Sequence, residues 1–288
     1  MSTADYILSI RTAAALFGDD SKATYRRLVK EWHPDTCKDP KATAVFVHIN
    51  ALFHQGTIKE EVKLAGATLV FRDARALLRA DGRCARIEAL LADLRRAAPD
   101  LDRRLPTVKR SKTTAVLFTL PPGCVSIARV MQAYPDGIPP EHVAWMASRL
   151  FELVMELSTV GYTCCGIVPE ALAVMVVEHG VLVLDWRFAQ AVNAKVDALP
   201  RVLLPFAPAH QKAAPVLDLA CVHRTALVLL GDPSGAGTAL LRRDPPLPRK
   251  LLDWFRSAPG ADPVEHYKEY RQLLTAVFGP PKYHTLKL

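Results

Sequence analysis

Apolar residues recur at i, i+3, i+4 and i+7 across Tyr25, Leu28, Val29 and Trp32, which predicts an amphipathic helix with Arg26, Arg27 and Lys30 lying off the stripe. Asp19 or Asp20 is placed to cap its start. Pro34 ends it, because proline pushes the preceding residue out of the helical region. A second helix is expected from about Pro40, with Ala42, Phe46, Ile49 and Phe53 on one face, and the two stripes together predict an antiparallel helical hairpin. Beyond it, Ala67 to Phe71 reads as a strand. Cys84 to Arg96 reads as a helix with Ile87, Leu90, Leu91 and Leu94 on one side. Pro99, Pro106 and the basic run Lys109-Arg110-Ser111-Lys112 are expected to break the pattern, before a strand from Thr114 to Leu120 that Pro121-Pro122-Gly123 closes.

The character changes after Pro139. Pro140-Glu141 opens a helix in which Val143, Met146, Ala147, Leu150, Val154 and Leu157 recur with helical period, so it is expected to be largely buried. The apolar runs Ala171 to Val177 and Gly180 to Leu184, split at Glu178-His179-Gly180, predict a hairpin. Pro263 to Phe278 reads as a last amphipathic helix carrying Tyr267, Tyr270, Leu273, Leu274 and Val277, and Lys282 to Leu288 as a mobile tail. The fold class is therefore α+β.

With 288 residues, 50% hydrophobic and 23% charged, the chain can bury one large or two smaller cores and is not a disordered polypeptide. The net charge of +8 is uneven, at +1 over residues 1–56, +5 over residues 57–110 and +2 over the remainder. The basic middle segment could meet nucleic acid or an acidic protein, but Phe71 is its one aromatic, too few for a base-stacking surface. The six cysteines (Cys37, Cys84, Cys124, Cys164, Cys165 and Cys221) form no C-x-x-C pair and no metal-finger spacing, so reduced, mostly buried thiols of a cytoplasmic protein are expected, with no metal and no cofactor. The beginning Met1-Ser2-Thr3-Ala4-Asp5 carries no basic-then-apolar signal, and no apolar run approaches the ~20 residues a membrane helix needs. No membrane role is expected.

Tyr25-Arg26-Arg27-Leu28, His33-Pro34-Asp35 and Phe46-x-x-Ile49-Asn50-Ala51 together resemble the J-domain of DnaJ-type co-chaperones over roughly residues 4–56. The resemblance implies docking on a DnaK-type chaperone ATPase. Arg26, Arg27 and Lys30 would meet an acidic surface, and the His33-Pro34-Asp35 loop would trigger ATP hydrolysis. The family's usual fourth helix is not evident after Gln55, so the segment is a short version.

Residues from about 60 to 280 resemble a protein kinase, with a degenerate small lobe and a mainly helical large lobe. Tyr162 to Leu172 is similar to the catalytic loop, Val183-Leu184-Asp185-Trp186-Arg187 to the metal-binding Asp-Phe-Gly segment, and Phe206-Ala207-Pro208-Ala209 to Ala-Pro-Glu. Leu217-Asp218-Leu219-Ala220 is similar to the start of the buried helix that organises the large lobe. The implied organisation is a J-domain-like hairpin at 1–56, a small lobe and linker at 57–138, and a large lobe at 139–288. Aligned on Pro169-Glu170, however, Cys164 and Cys165 occupy the histidine and arginine positions, and Gly166 stands for the catalytic aspartate. Val168 stands for the loop lysine and Ala171 for the metal-binding asparagine. Asp185 survives, but Arg187 replaces the glycine after it. No G-x-G-x-x-G lies between Gln55 and Arg75; Arg72 and Glu88 are the nearest candidates for the kinase Lys–Glu pair. The expectation is a pseudokinase: no catalysis, and a body that binds a client or assembly.

Two rival readings follow from the same residues, a divergent kinase or nucleotide-modifying enzyme using Asp185, and a nucleic-acid binder using the basic segment 72–112. Gly231 to Thr238 looks like a phosphate loop but lacks its lysine, and Pro233 removes a backbone donor, so it reads as a surface loop. His142, His179, His210 and His223 show no ligand spacing and read as surface or satisfied core histidines. Adjacent Cys164 and Cys165 are too strained to bridge and read as a buried loop.

Overall fold

The computed structural model describes residues 3–288 apart from 11–12, 19–20, 58–59, 73, 81, 122, 177, 197–211, 245, 281, 283, 285 and 287–288. The candidate caps Asp19 and Asp20, His210 and the Phe206-Ala207-Pro208-Ala209 match lie outside the described residues. The chain begins with four helices, α1 (Thr3–Ser9), α2 (Ala13–Phe17), α3 (Ser21–Glu31) and α4 (Ala42–Thr57). The expected hairpin is α3 and α4, and the two short helices before it are an addition to that expectation. Ala4, Ile7, Phe17, Leu28, Trp32, Ala42, Val45, Ile49 and Leu52 form their shared apolar cluster. The expected α4 face is shifted: Val45 and Leu52 are buried alongside Ala42 and Ile49, while Phe46 and Phe53 sit half-buried at its edge.

Five antiparallel strands follow in the order β1-β2-β3-β5-β4: β1 (Glu60–Leu64), β2 (Ala67–Arg72), β3 (Arg75–Ala80), β4 (Thr107–Lys112) and β5 (Ala115–Thr119). Helix α5 (Ala85–Ala97) connects β3 to β4 and turns Ile87, Leu91 and Leu94 onto the sheet face formed by Leu69, Leu78, Val116 and Phe118. The basic run Lys109 to Lys112 is part of strand β4 and not a break, which corrects the expectation. Its alternation is interrupted by a bulge between Val108 and Arg110, and cations are common on edge strands because they discourage further pairing.

Strand β6 (Cys124–Ser126) leads directly into α6 (Ile127–Ala133), whose first turn is capped by the Ser126 hydroxyl accepting from the Arg129 amide. The long helix α7 (Pro140–Thr159) then carries apolar residues almost all round and is buried as expected. Strand β7 (Tyr162–Thr163) precedes the hairpin, whose strands are shorter than expected, β8 (Leu172–Met175) and β9 (Gly180–Val183), since Ala171 closes a short 3-10 turn instead. Strand β10 (Gln190–Ala191) pairs with β7, and β6 pairs with β8. Helices α8 (Pro215–Leu229), α9 (Arg249–Arg256) and α10 (Pro263–Phe278) complete the chain, and the Asp262 carboxylate caps α10.

One continuous apolar cluster runs from Val62 to Leu286 and takes in both the sheet and helices α7 to α10. Arg104 ties the two regions together by ion pairs to Glu152 (2.9 Å) and Glu156 (2.7 Å) on α7, with Tyr267 of α10 donating to Glu152 at 2.6 Å. Leu286 is buried in the same cluster, so part of the expected loose tail returns to the body. All six cysteines are free thiols. Among the described residues no helix is long and apolar enough to cross a membrane.

Candidate functional site

The first candidate site is the turn between α3 and α4. Tyr25 on α3 stacks on Phe53 of α4 with ring centroids 3.6 Å apart, and its hydroxyl donates to Asn50 Oδ1 at 2.7 Å; Asn50 in turn donates to the Phe46 carbonyl. The residues that carry the J-domain resemblance therefore clamp the two helices. At the turn the His33 carbonyl accepts from the Thr36 and Cys37 amides, His33 Nδ1 accepts from the Asp35 amide at 3.3 Å, and the His33 ring meets Phe46 edge-on at 5.2 Å. Pro34 fixes the backbone between these two polar neighbours. The Asp35 side chain is 85% exposed, its carboxylate 3.7 Å from His33 Nδ1.

Arg26, Arg27 and Lys30 are exposed on α3, next to this turn. Arg27 is engaged with Glu31 one helical turn away (3.3 Å), a contact worth about 0.3–0.5 kcal/mol. Arg26 and Lys30 form no ion pair with a described residue. The sequence-predicted residues thus lie together on one exposed edge, with two cations that pair with no described residue and an outward carboxylate.

The second candidate site surrounds Asp185. The segment Thr163 to Val168 is fully enclosed. Asp218, at the start of α8 and itself buried, accepts from the amides of both Cys164 and Cys165 at 2.7 Å. Burial raises the Asp218 carboxyl to about 6, against the opposing pull of those two amides. Cys165 adopts a positive φ of 50°, and burial pushes its thiol up to about 12; burial also raises the Cys164 thiol well above the ordinary range. Both therefore stay protonated and unreactive at neutral pH.

Gly166 packs on the Asp185 backbone so closely that a Cβ would lie 2.3 Å from the Asp185 carbonyl oxygen. A side chain of any kind is excluded where a kinase-like loop would carry its carboxylate. Val168 and Ala171 are buried apolar residues. Asp185 is held by its own neighbour. Arg187 Nε and Nη2 donate to the two carboxylate oxygens at 2.8 and 2.7 Å, and the Arg187 amide adds a third bond at 3.2 Å.

The same guanidinium reaches across to the β1–β2 turn, donating from Nη1 to the Gly66 carbonyl and from Nη2 to the Ala65 carbonyl, each at 3.0 Å. Arg86, at the start of α5, donates to the Arg187 and Ala189 carbonyls (2.6 and 3.0 Å) and fixes the segment from outside. Arg72 and Glu88, the candidates for a Lys–Glu pair, are both exposed and no ion pair joins them. The cation that matters is Arg187, and the one sequence signal for it was an arginine where the resemblance calls for glycine. Among the described residues no cluster of histidine, cysteine or carboxylates is arranged to hold a metal ion.

The remaining constellations resolve into structure. Asp232 is buried and organises its loop by accepting from the Ser234 amide and hydroxyl and the Ala239 amide. His223 and His266, which no spacing linked, meet at 3.0 Å between Nε2 atoms. A consistent tautomer chain runs from the Gly260 amide into His266 Nδ1, from His266 Nε2–H into His223 Nε2, and from His223 Nδ1–H into the Phe255 carbonyl. Burial lowers their pKa values to about 3 and about 4 respectively, so both are neutral.

No family model matches the chain, and no curated protein matches it.

Proposed function

We propose that this chain is a J-domain-type co-chaperone that recruits a DnaK-type chaperone and stimulates its ATP hydrolysis through His33-Pro34-Asp35, with residues 57–288 forming a catalytically empty, kinase-like binding body. The observation that carries this reading is the outward Asp35 carboxylate on a turn braced by His33 and the Tyr25–Phe53–Asn50 clamp, beside the exposed cations Arg26 and Lys30. An exposed, pre-positioned carboxylate offers a directional contact, and exposed cations raise the association rate with an acidic surface.

The kinase-like part of the proposal draws support from an antiparallel sheet with α5 inserted between β3 and β4, and from Asp218 organising the Cys164–Cys165 loop. Phosphoryl transfer needs a base and metal ligands. Gly166 and Ala171 supply neither, and Arg187 fills the space before Asp185 with positive charge already neutralised. The body is accordingly a scaffold that binds a client or assembly and so decides where the J-like turn acts.

Steady-state ATP hydrolysis by a DnaK-type chaperone, measured with and without the full chain, tests the proposal. Stimulation is expected, and stimulation that is absent sinks it. The emptiness of the body is tested separately by thermal unfolding with Mg·ATP. A ligand at 100 times its Kd adds about 2.7 kcal/mol of stability, and no such shift is expected here.

A further inference from the structure

The outer face of the five-stranded sheet, opposite α5, carries a pattern that neither the chaperone reading nor the kinase-like reading uses. Cross-strand register sorts its residues into three rows running across the strands. The first holds Lys63, Thr68, Arg79, Ala115 and Lys112. The second holds Glu61, Val70, Leu77, Leu117 and Arg110, and the third holds Arg72, Arg75, Thr119 and Thr107. Lys63, Arg72, Arg79, Arg110 and Lys112 are exposed and Arg75 is half-buried, and none of the six makes an ion pair with a described residue. Elsewhere in the same body Arg95, Arg104, Arg149 and Arg187 are each paired with a carboxylate. Glu61 is the one acid among the described residues of this face.

Between the two basic rows, Val70, Leu77 and Leu117 are direct cross-strand neighbours and form an apolar strip, in which Leu77 and Leu117 are half-exposed and Val70 is buried. From this arrangement we infer that the face docks an acidic amphipathic helix supplied by a partner protein. Adjacent strands lie ~4.8 Å apart, and apolar residues at i, i+4 and i+7 of a helix advance ~5 Å per step along its axis, so two such residues meet the half-exposed Leu77 and Leu117 and the third lies over the buried Val70. The basic rows, two residues apart along each strand on either side of the strip, are ~13–14 Å from one another, enough to straddle a helix of ~10–12 Å diameter. Carboxylates on the two flanks of the helix then face Lys63, Arg79 and Lys112 on one side and Arg72 and Arg75 on the other. An open hollow of about 540 Å³ runs along the first row, lined by Lys63, Thr68, Arg79 and Ala115 among others, and receives further acidic side chains.

Charge complementarity selects this occupant. The α3 helix of a second copy is basic and is repelled. A nucleic acid would gain nothing from the aliphatic strip, since no aromatic side chain faces outward here to stack a base. The inference does not depend on the chaperone assignment.

The test is fluorescence anisotropy of the full chain with a labelled 18-residue Leu/Glu peptide whose leucines follow the i, i+4, i+7 stripe. Its comparators are a scramble of the same composition and a labelled DNA duplex. The striped peptide is expected to bind most tightly, to weaken roughly tenfold in the exposed double variant Arg79→Glu/Lys112→Glu, and to be unaffected by Lys250→Glu on the exposed side of α9. Leu77→Gln should weaken the striped peptide more than the scramble, with circular dichroism confirming that the variant is folded. Absence of binding overturns the inference, as does equal affinity for the scramble. Tighter binding of the duplex, lost in the same double variant, overturns it in favour of nucleic acid.

Discussion

Asp35 and Asp185 are each separated by a single residue from a basic side chain, and their situations are opposite. The Asp35 side chain is 85% exposed beside His33, whereas that of Asp185 is 2% exposed and both of its oxygens are held by Arg187. A carboxylate in water keeps its bonding capacity for an arriving partner; one that is buried and doubly held has none left to offer. Residue type therefore says little by itself about where a chain acts. What decides is whether the rest of the fold has already satisfied the group.

The largest effect is expected where the enclosed site is forced to resemble a working one. Gly166→Asp, meant to restore a base, drives its Cβ into the Asp185 carbonyl and buries a carboxylate without a partner. It should destabilise the body by roughly 3–5 kcal/mol in urea denaturation and yield no phosphotransfer. Arg187→Met comes next. It strands Asp185 as an unpaired buried charge and releases the exposed Ala65–Gly66 turn, at about 3–5 kcal/mol, and adding Asp185→Leu should recover most of that loss in a double-mutant cycle.

Acid should also separate the body from the helical segment. His223 has a folded pKa of about 3 against an ordinary value of 6.5. The unfolded chain therefore binds the extra proton, and the stability this group contributes is complete above about pH 6.5 and declines as pH falls towards the folded value. By pH 5 the loss from His223 is about 2 kcal/mol. Urea denaturation at pH 7.5, 6 and 5 should show this decline, and His223→Leu/His266→Leu should flatten it. The smallest effect belongs to the exposed turn: Asp35→Asn should change stability by less than about 0.5 kcal/mol, because nothing buried depends on it.

Helices α3 and α4 were legible because their apolar stripes are local and periodic, and the His33-Pro34-Asp35 turn because proline marks it. Helices α1 and α2 were not, since seven and five residues are too few for a period to declare itself. Strand β4 was hidden by its bulge at Lys109 and by cations that look like loop chemistry but suit an edge strand. The closure of Arg187 on Gly66 spans 121 positions and the bond between His223 and His266 spans 43, so no local pattern could encode either. Asp218 could be singled out in the sequence, but its two bonds to the Cys164 and Cys165 amides depend on how α8 packs against that loop.

The contrast between the two aspartates is tested most directly by single-turnover ATP hydrolysis on a DnaK-type chaperone, comparing the full chain with its Asp35→Asn and Asp185→Asn variants. The expected result is that Asp35→Asn abolishes stimulation while Asp185→Asn retains it wherever circular dichroism shows the variant folded. Equal stimulation by the Asp35→Asn variant and the unmodified chain, or its loss in a folded Asp185→Asn variant alone, would contradict the account.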